Sequence, residues 1–537
     1  MLSGEPAEAG FIIPSMVGNR AARSSNSLLL QNVLVILLLA LAVLIVLNQA
    51  NPLTTRLGRD SGMYAYVASH LMRGHTPYVS AWEHKPPGIF FIDALGLSLA
   101  GGTRWGIWLV EFVFLLAAAL TGFHALKRHF GTGPALGASL IWLAGLSLVL
   151  EGGNFTEEFS LPFALISLLL FAMTLKRPPS FWLYAALGLA TGCTFMLRPN
   201  NAGVQFAIIL TEAALILRRQ RSWRESLKGW LTLGAGFIIP VALAAGYFLA
   251  RNAFQPFIEA AFLFNAAYGG RVDLLGSFIS GVRQLGFAAG VALVGMLIAF
   301  GNLRDQFKGT AVDPILLWLG LDFILEIVLS GLSGRNYPHY FISWLPWMAF
   351  ACALLLSKLA PSFESWFQRF ALPALLGAIV FLALASVSTL NAYASAFSRL
   401  AASPGEAQRQ EQLPEYVNEH TQPGDTVYVW GGEAGVNFLA QRDAPTAHFS
   451  YAQLGPSPLT NRLSAEFYEQ IVSHPPALIL DQAGDQLPPL STPNPVQWLD
   501  AHNLYATPYM QEFFDFVHAN YLYRTSVAGV PVYALGQ

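Results

Sequence analysis

Long apolar runs separated by short polar breaks dominate the chain from residue 28 to residue 390. A helix needs ~20 predominantly apolar residues to cross a bilayer. Runs that meet or approach that length lie at 28–48, 105–126, 134–151, 159–175, 181–197, 202–217, 229–250, 284–301, 314–332, 340–357 and 371–390. The pattern predicts an α-helical polytopic membrane protein with about eleven spans. The polar break after the first run is different in kind. It extends from 49 to 104 and has a periodicity of its own. Met63, Tyr66, Val67, His70 and Leu71 recur at helical spacing, and Gly74 closes the segment. Ile89 to Ala100 is a second apolar piece, too short to span. Both read as helices lying in the membrane interface.

Beyond about residue 400 the pattern changes to turn chemistry and short β-rich runs. Asp425 to Trp430 follows a Pro-Gly turn and reads as a strand, as does Ala477 to Leu480. Tyr521 to Ser526 and Val530 to Leu535, joined through Ala528-Gly529, read as a terminal hairpin. Helical stretches at 463–472 and 509–519 lie between these strands. The chain therefore divides into a tail (1–27), a membrane part (28–395, with its first outer loop at 49–104) and a small α/β domain (400–537).

Basic residues give this layout a direction. Arg20/Arg23, Lys127/Arg128, Lys176/Arg177, the cluster from Arg218 to Lys228, Arg304/Lys308 and Lys358/Arg369 fall in alternate breaks. By the positive-inside rule those breaks face the cytoplasm. The N-terminus is then cytoplasmic, and an odd number of spans puts the α/β domain outside. The run after the polar tail is long and lacks a small-residue cleavage site, so it reads as a signal anchor.

Composition narrows the function. Of 537 residues 54% are hydrophobic and only 12% charged, about half the charge of a soluble domain. The net charge of −2 gives nucleic acid nothing to bind. Cys193 and Cys352 both lie in apolar runs and read as packing residues. There is no Asp-x-Asp, no Gly-rich phosphate loop and no His/Cys cluster at ligand spacing. A phosphate-bearing substrate would therefore arrive through the membrane rather than as a soluble nucleotide. No metal site is read from the sequence, although a divalent cation stays open.

In so apolar a chain, the charged and aromatic residues of the outer breaks stand out. Asp60 can act as a general base, or can be a solvated loop carboxylate beside Arg59. Asp273 is its nearest rival, close to Arg271 in a Gly-rich segment. Lys85, held before two prolines, suits a phosphate at headgroup level, or can be a snorkelling lysine. His84 can share either role. Glu157 and Glu158 open a span on the same side, as catalytic carboxylates or as complements to the helix dipole. Arg198 interrupts an apolar hairpin, where it binds phosphate or caps a helix. Arg335, His339 and Tyr340, with Tyr337, can grip phosphate and sugar together, or form an aromatic belt with an anchoring arginine.

Taken together, Asp60, the run His84-Lys85-Pro86-Pro87-Gly88, the pair Glu157/Glu158 and the run Arg335-Asn336-Tyr337-Pro338-His339-Tyr340 resemble the GT-C superfamily of membrane glycosyltransferases. Within it the resemblance is to protein O-mannosyltransferases and the aminoarabinose transferase of lipid A, over about residues 28–390. The Glu-Glu pair departs from relatives that often carry Asp or a single acid. The α/β domain resembles the periplasmic domains of these enzymes in position only. The resemblance implies a polyprenyl-phosphate sugar donor, inversion at the anomeric carbon, and a lipid, glycan or protein acceptor whose hydroxyl attacks. Asp60 would take the proton while Lys85, with Arg335 or Arg198, meets the departing phosphate. The competing class is a transporter or flippase of a lipid-linked sugar. The lack of paired, Gly/Pro-interrupted repeat halves weighs against it.

Overall fold

The computed structural model describes residues 25–175, 180–267, 272–359, 361–402 and 407–536. The tail with Arg20 and Arg23, the pair Lys176/Arg177, and Arg271 lie outside the described residues.

The first apolar run forms α1 (Ser25–Val46), extended by one 3-10 turn (Leu47–Ala50). Asn51-Pro52 stops it, because proline lacks the donor to continue and Asn51 turns its amide oxygen to the Leu53 N–H. The outer loop then builds α2 (Arg59–Met72) and α3 (Gly88–Leu99). After it come α4 (Arg104–Phe130), α5 (Thr132–Val149), α6 (Thr156–Thr174), α7 (Phe181–Leu197), α8 (Gly203–Leu217) and α9 (Trp223–Ala250). The other long helices of this part are Leu274–Phe307, Pro314–Gly331, Leu345–Leu359, Pro361–Ala385 and Val387–Ala402. Its apolar core includes Trp142, Trp318, Trp344 and Trp347, all fully buried.

Among the described residues, nine helices are long and apolar enough to cross a membrane, where the pattern of apolar runs predicts about eleven. The two that fall short are α7 and α8, of 17 and 15 residues. A 15-residue helix rises ~22 Å, less than the ~30 Å hydrocarbon core. Their hairpin is cut short at its tip by Arg198-Pro199. Arg198 leaves α7 in extended geometry (φ −166°, ψ 119°), and Pro199 starts a single 3-10 turn before α8.

The first of the two loop helices also differs from the expected interfacial one. Nearly every face of α2 is buried, from Ser61 through Ala68. It packs between α3 and the helix Gly435–Ala440 of the C-terminal domain. Contact is so close that a Cβ built on Gly62 would lie 2.7 Å from the Gly435 Cα. Helical periodicity correctly marks the helix, but one apolar stripe cannot reveal that a distant domain covers the other side.

That domain carries a four-stranded sheet in the order β1 (Val427–Trp430), β2 (Leu478–Asp481), β4 (Val530–Leu535), β3 (Tyr521–Val527). β1 and β2 pair in parallel with Val427 opposite Leu478, while β4 runs antiparallel to both β2 and β3. Helices Thr460–Ser473 and Met510–Asn520 cover it. Tyr64, Tyr66 and Trp82 of the loop share one apolar core with Tyr428, Trp430, Phe467 and Phe513 of the domain. Polar contacts fasten the seam. Arg73 makes two hydrogen bonds to Asp443 (2.9 and 2.7 Å), and the Ala444 N–H donates to the Tyr66 hydroxyl at 2.8 Å. Burial raises the pKa of Asp443, but the hydrogen bonds and charges of His70 and Arg73 outweigh it and hold the carboxyl below its usual range.

Candidate active site

Loop, bundle and C-terminal domain meet around a cavity of about 370 Å³. Asp60 enters it from the first turn of α2, where a negative charge is favoured by the helix N-terminus. His84, Lys85, Arg335, His339 and Tyr340 line it as well. Six residues named from sequence therefore share one space, although they come from three separate stretches of chain.

Lys85 is held by its neighbours before any ligand arrives. The buried Glu83 carboxylate accepts the Lys85 backbone N–H at 2.6 Å and lies 3.0 Å from His84 Nδ1. His84 Nε2 is in turn 3.2 Å from the Lys85 ammonium, and the Tyr78 hydroxyl donates to the Lys85 carbonyl at 2.8 Å. Burial alone would raise the Glu83 pKa, yet the charge and hydrogen bond of His84, with the charge and N–H of Lys85, hold it at about 2.

A second cavity of about 320 Å³ adjoins the first and shares His84, Lys85 and Tyr340 with it. Arg198 lines this one, its guanidinium over the Tyr340 ring at 4.3 Å and paired with Glu157. Extended geometry at Arg198 is what frees its side chain from the helix to reach there. Past Pro86 and Arg198 the lining becomes apolar. A groove of about 460 Å³ begins at Pro87 and Leu197 and runs between Phe91, Phe163, Leu243 and Tyr247. Gly88 opens α3 against the Met196 carbonyl, so tightly that an added Cβ would lie 2.6 Å from that oxygen. Only glycine lets the Lys-Pro-Pro turn and α7 approach this closely.

Glu158 takes a different position. It is fully buried, lines none of these three cavities, and accepts the Asn154 N–H at 3.0 Å. Glu111 accepts the same N–H, and Asp93 accepts the Asn154 side-chain amide at 2.8 Å. These carboxyl groups clamp a loop in which Glu151, Gly152, Gly153 and Asn154 all have positive φ. Left-handed geometry is routine for glycine and asparagine but costs other residues ~1–2 kcal/mol, so tertiary contacts must impose it on Glu151.

Several site residues went unmarked in the sequence. Glu151 lines the first cavity, but its position at the end of an apolar run made it read as the edge of a span. The Gly-Gly pair after it was the available signal. Arg59 also lines the cavity and donates to the Gly431 carbonyl at 3.0 Å. Gln453 reaches the same space from the C-terminal domain; no local signal could have connected a residue so distant in sequence. Among the described residues, no group of three or more His, Cys, Asp or Glu side chains is arranged to hold a metal.

An apolar groove, a cationic cavity and, sharing Lys85 with it, a cavity of mixed charge around Asp60 accompany a known fold. The chain has the fold of the GT-C membrane glycosyltransferases. Residues 84–245 match the family of dolichyl-phosphate-mannose-protein mannosyltransferases. Among solved structures the chain is similar to ArnT from Cupriavidus metallidurans bound to undecaprenyl phosphate, at 15% identity over 95% of this chain and 98% of that one, TM-score 0.57. The apo state of the same protein aligns at 14% identity over the same shares, TM-score 0.57. The oligosaccharyltransferase of Archaeoglobus fulgidus aligns at 12% identity over 93% of this chain and 74% of that one, TM-score 0.46. No curated protein matches the chain.

Proposed function

We propose that this protein transfers a sugar from a polyprenyl-phosphate donor to an acceptor hydroxyl, with inversion, on the extracytoplasmic side of the membrane. The observation that carries the reading is the order of three cavities: the apolar groove ends at Pro87 and Leu197, their chain neighbours Pro86 and Arg198 line the next cavity, and that cavity shares Lys85 with the one that holds Asp60. A polyprenyl chain is apolar, its phosphate anionic and its sugar polar, in the same order. The bond between the anomeric carbon and the phosphate oxygen breaks while the acceptor oxygen forms the new one. Charge grows on the leaving phosphate, where the Lys85 ammonium and Arg198 guanidinium oppose it. Asp60 accepts the acceptor proton. A hydroxyl is far less acidic than a carboxylic acid, so that transfer is late and tied to bond formation. Arg335, His339 and Tyr340, which line the same cavity, hold the sugar and acceptor.

The topology read from the basic residues agrees with this assignment. Asp60, Lys85, Glu157, Arg198 and Arg335 all belong to breaks on the side opposite the basic clusters. The experiment is transfer by purified protein in lipid. A panel of undecaprenyl-phosphate hexoses and pentoses is offered with a total membrane extract as acceptor. The expected result is release of undecaprenyl phosphate together with a new glycosidic bond. Movement of the lipid-linked sugar across vesicles with no new bond would replace the reading with a transporter.

A further inference from the structure

His339 lies between two carboxylates. Its Nε2 is 3.9 Å from the Asp60 carboxylate and its Nδ1 is 3.7 Å from that of Glu151. Catalytic hydrogen bonds commonly reach full strength only as the transition state forms. The ring is held in this attitude by its neighbours. Phe155 stacks on it at 4.2 Å and 4°, the Tyr337 ring is parallel to it at 5.8 Å, and Tyr340 meets it edge-on at 4.8 Å. Turning the imidazole end for end would require displacing an aromatic ring. Its two nitrogens therefore keep their separate partners.

Glu151 reaches this place at a conformational cost. Its φ is 43°, the first of four successive positive values. Glycine or asparagine is the ordinary residue there. The Asn154 N–H bond to Glu158 and the Ser61 hydroxyl bond to the Gly153 carbonyl, at 2.8 Å, hold the segment down. Backbone strain that persists at a site is commonly part of its function. The Glu151 side chain is 48% exposed, against 10% for His339, so burial of an apolar face cannot explain it.

We propose that Glu151 is a positioning residue of the transfer reaction: it keeps the His339 proton on Nδ1, so that Nε2 faces Asp60 as a base and regenerates the Asp60 carboxylate. The inference rests on the transfer reading above. The proton balance is simple. The acceptor O–H breaks and its proton passes to Asp60 as the glycosidic bond forms. Asp60 then yields it to His339 Nε2. The imidazolium, flanked by two carboxylates, persists until the product leaves and then gives that same proton to water. The Nδ1 proton never moves, so the ring is ready for the next turnover without rotating. Such control of tautomer and charge by a second carboxylate is a general use of the His–carboxylate pair.

The charged and titratable groups around His339 are Asp60 from α2, Glu151 from the loop before α6, Lys85 from the outer loop, Arg198 from the end of α7, and Tyr337, Tyr340 and Arg335 from its own stretch. Lys85 and Arg198 disfavour an imidazolium, and the Glu151 and Asp60 carboxylates oppose them. The test uses the full chain in lipid with an undecaprenyl-phosphate sugar and a membrane extract as acceptor, following kcat and donor KM from pH 5 to 9. Glu151→Gln keeps an acceptor for Nδ1–H but loses the charge, and Glu151→Asn suits the backbone and loses the reach. The expected result is a fall in kcat of about tenfold for Gln and more for Asn, with donor KM within twofold of wild type. The acid limb of the kcat profile should move to lower pH for Gln, because the imidazolium has lost a stabilising charge. Wild-type kcat and profile in both variants would overturn the inference, as would a loss confined to KM or to thermal stability. Absence of transfer by the wild-type protein would instead overturn the transfer reading itself.

Discussion

Replacing Lys85 by alanine tests the centre of the proposed route. The ammonium is the one lysine that lines both the Asp60 cavity and the Arg198 cavity among the described residues. Its backbone position is fixed by the Glu83 carboxylate and the Tyr78 hydroxyl. Neither anchor uses the lysine side chain, so alanine leaves the backbone of the turn held and removes the charge together with its contact to His84 Nε2. A hydrogen bond to a charged group is worth ~1.5–3 kcal/mol. Each 1.4 kcal/mol is about tenfold in affinity, so donor binding should weaken on the order of ten- to a hundredfold. A further loss in kcat is expected, because phosphate charge is greatest in the transition state. Lys85→Arg is the informative companion. Arginine keeps the charge but needs room for a planar fork beside His84, so it should recover only part of the loss. The assay is titration with undecaprenyl phosphate followed by transfer kinetics, with melting temperature as the folding control. Donor affinity equal to wild type in a folded Lys85→Ala would refute the phosphate assignment and sever the apolar groove from the Asp60 cavity.

Three further outcomes follow from the same geometry. Asp60→Asn keeps size and hydrogen bonding but cannot take a proton, so transfer should slow roughly a hundredfold or more while donor binding persists; near-normal turnover would remove Asp60 as the base. Glu157→Gln leaves the mostly buried Arg198 without its ion partner and should cost on the order of 3 kcal/mol, measured by denaturation; Glu157→Gln with Arg198→Gln should recover part of that, and additive losses would refute the pairing. Glu83 is 2% exposed and its pKa is depressed to about 2 from an ordinary 4.5, so its ~3 kcal/mol of stabilisation is complete above pH ~4.5 and is lost as pH falls through 2. The melting temperature should accordingly drop less steeply from pH 6 to pH 3 in Glu83→Gln than in wild type, and parallel slopes would count against that shift.

The apolar runs determined that the chain is a helical membrane protein, because the bilayer demands long helices wherever the backbone is exposed to lipid. Alternation and turn chemistry likewise determined the terminal strands, whose pattern is local: Tyr521–Val527 and Val530–Leu535 lie where the hairpin reading put them. The Lys-Pro-Pro turn and Asp60 were legible for a related reason, since charge is conspicuous in a chain that avoids it. Tertiary structure decided the rest. The register between β2 and β4 joins residues some fifty positions apart in sequence, and no window of sequence contains both. Gln453 enters the cavity from a domain that packs on α2, where Gly62 lets the backbone of Gly435 come close. Glu157 and Glu158 are adjacent and chemically alike, yet one pairs with Arg198 and the other clamps Asn154. Successive helical residues point ~100° apart, and which direction meets a cation and which a strained loop is settled by how α6 packs against its neighbours. Glu151 is the clearest case: its place beside His339 depends on four successive positive φ angles and on an imidazole nearly two hundred residues away, and only the packed chain supplies both.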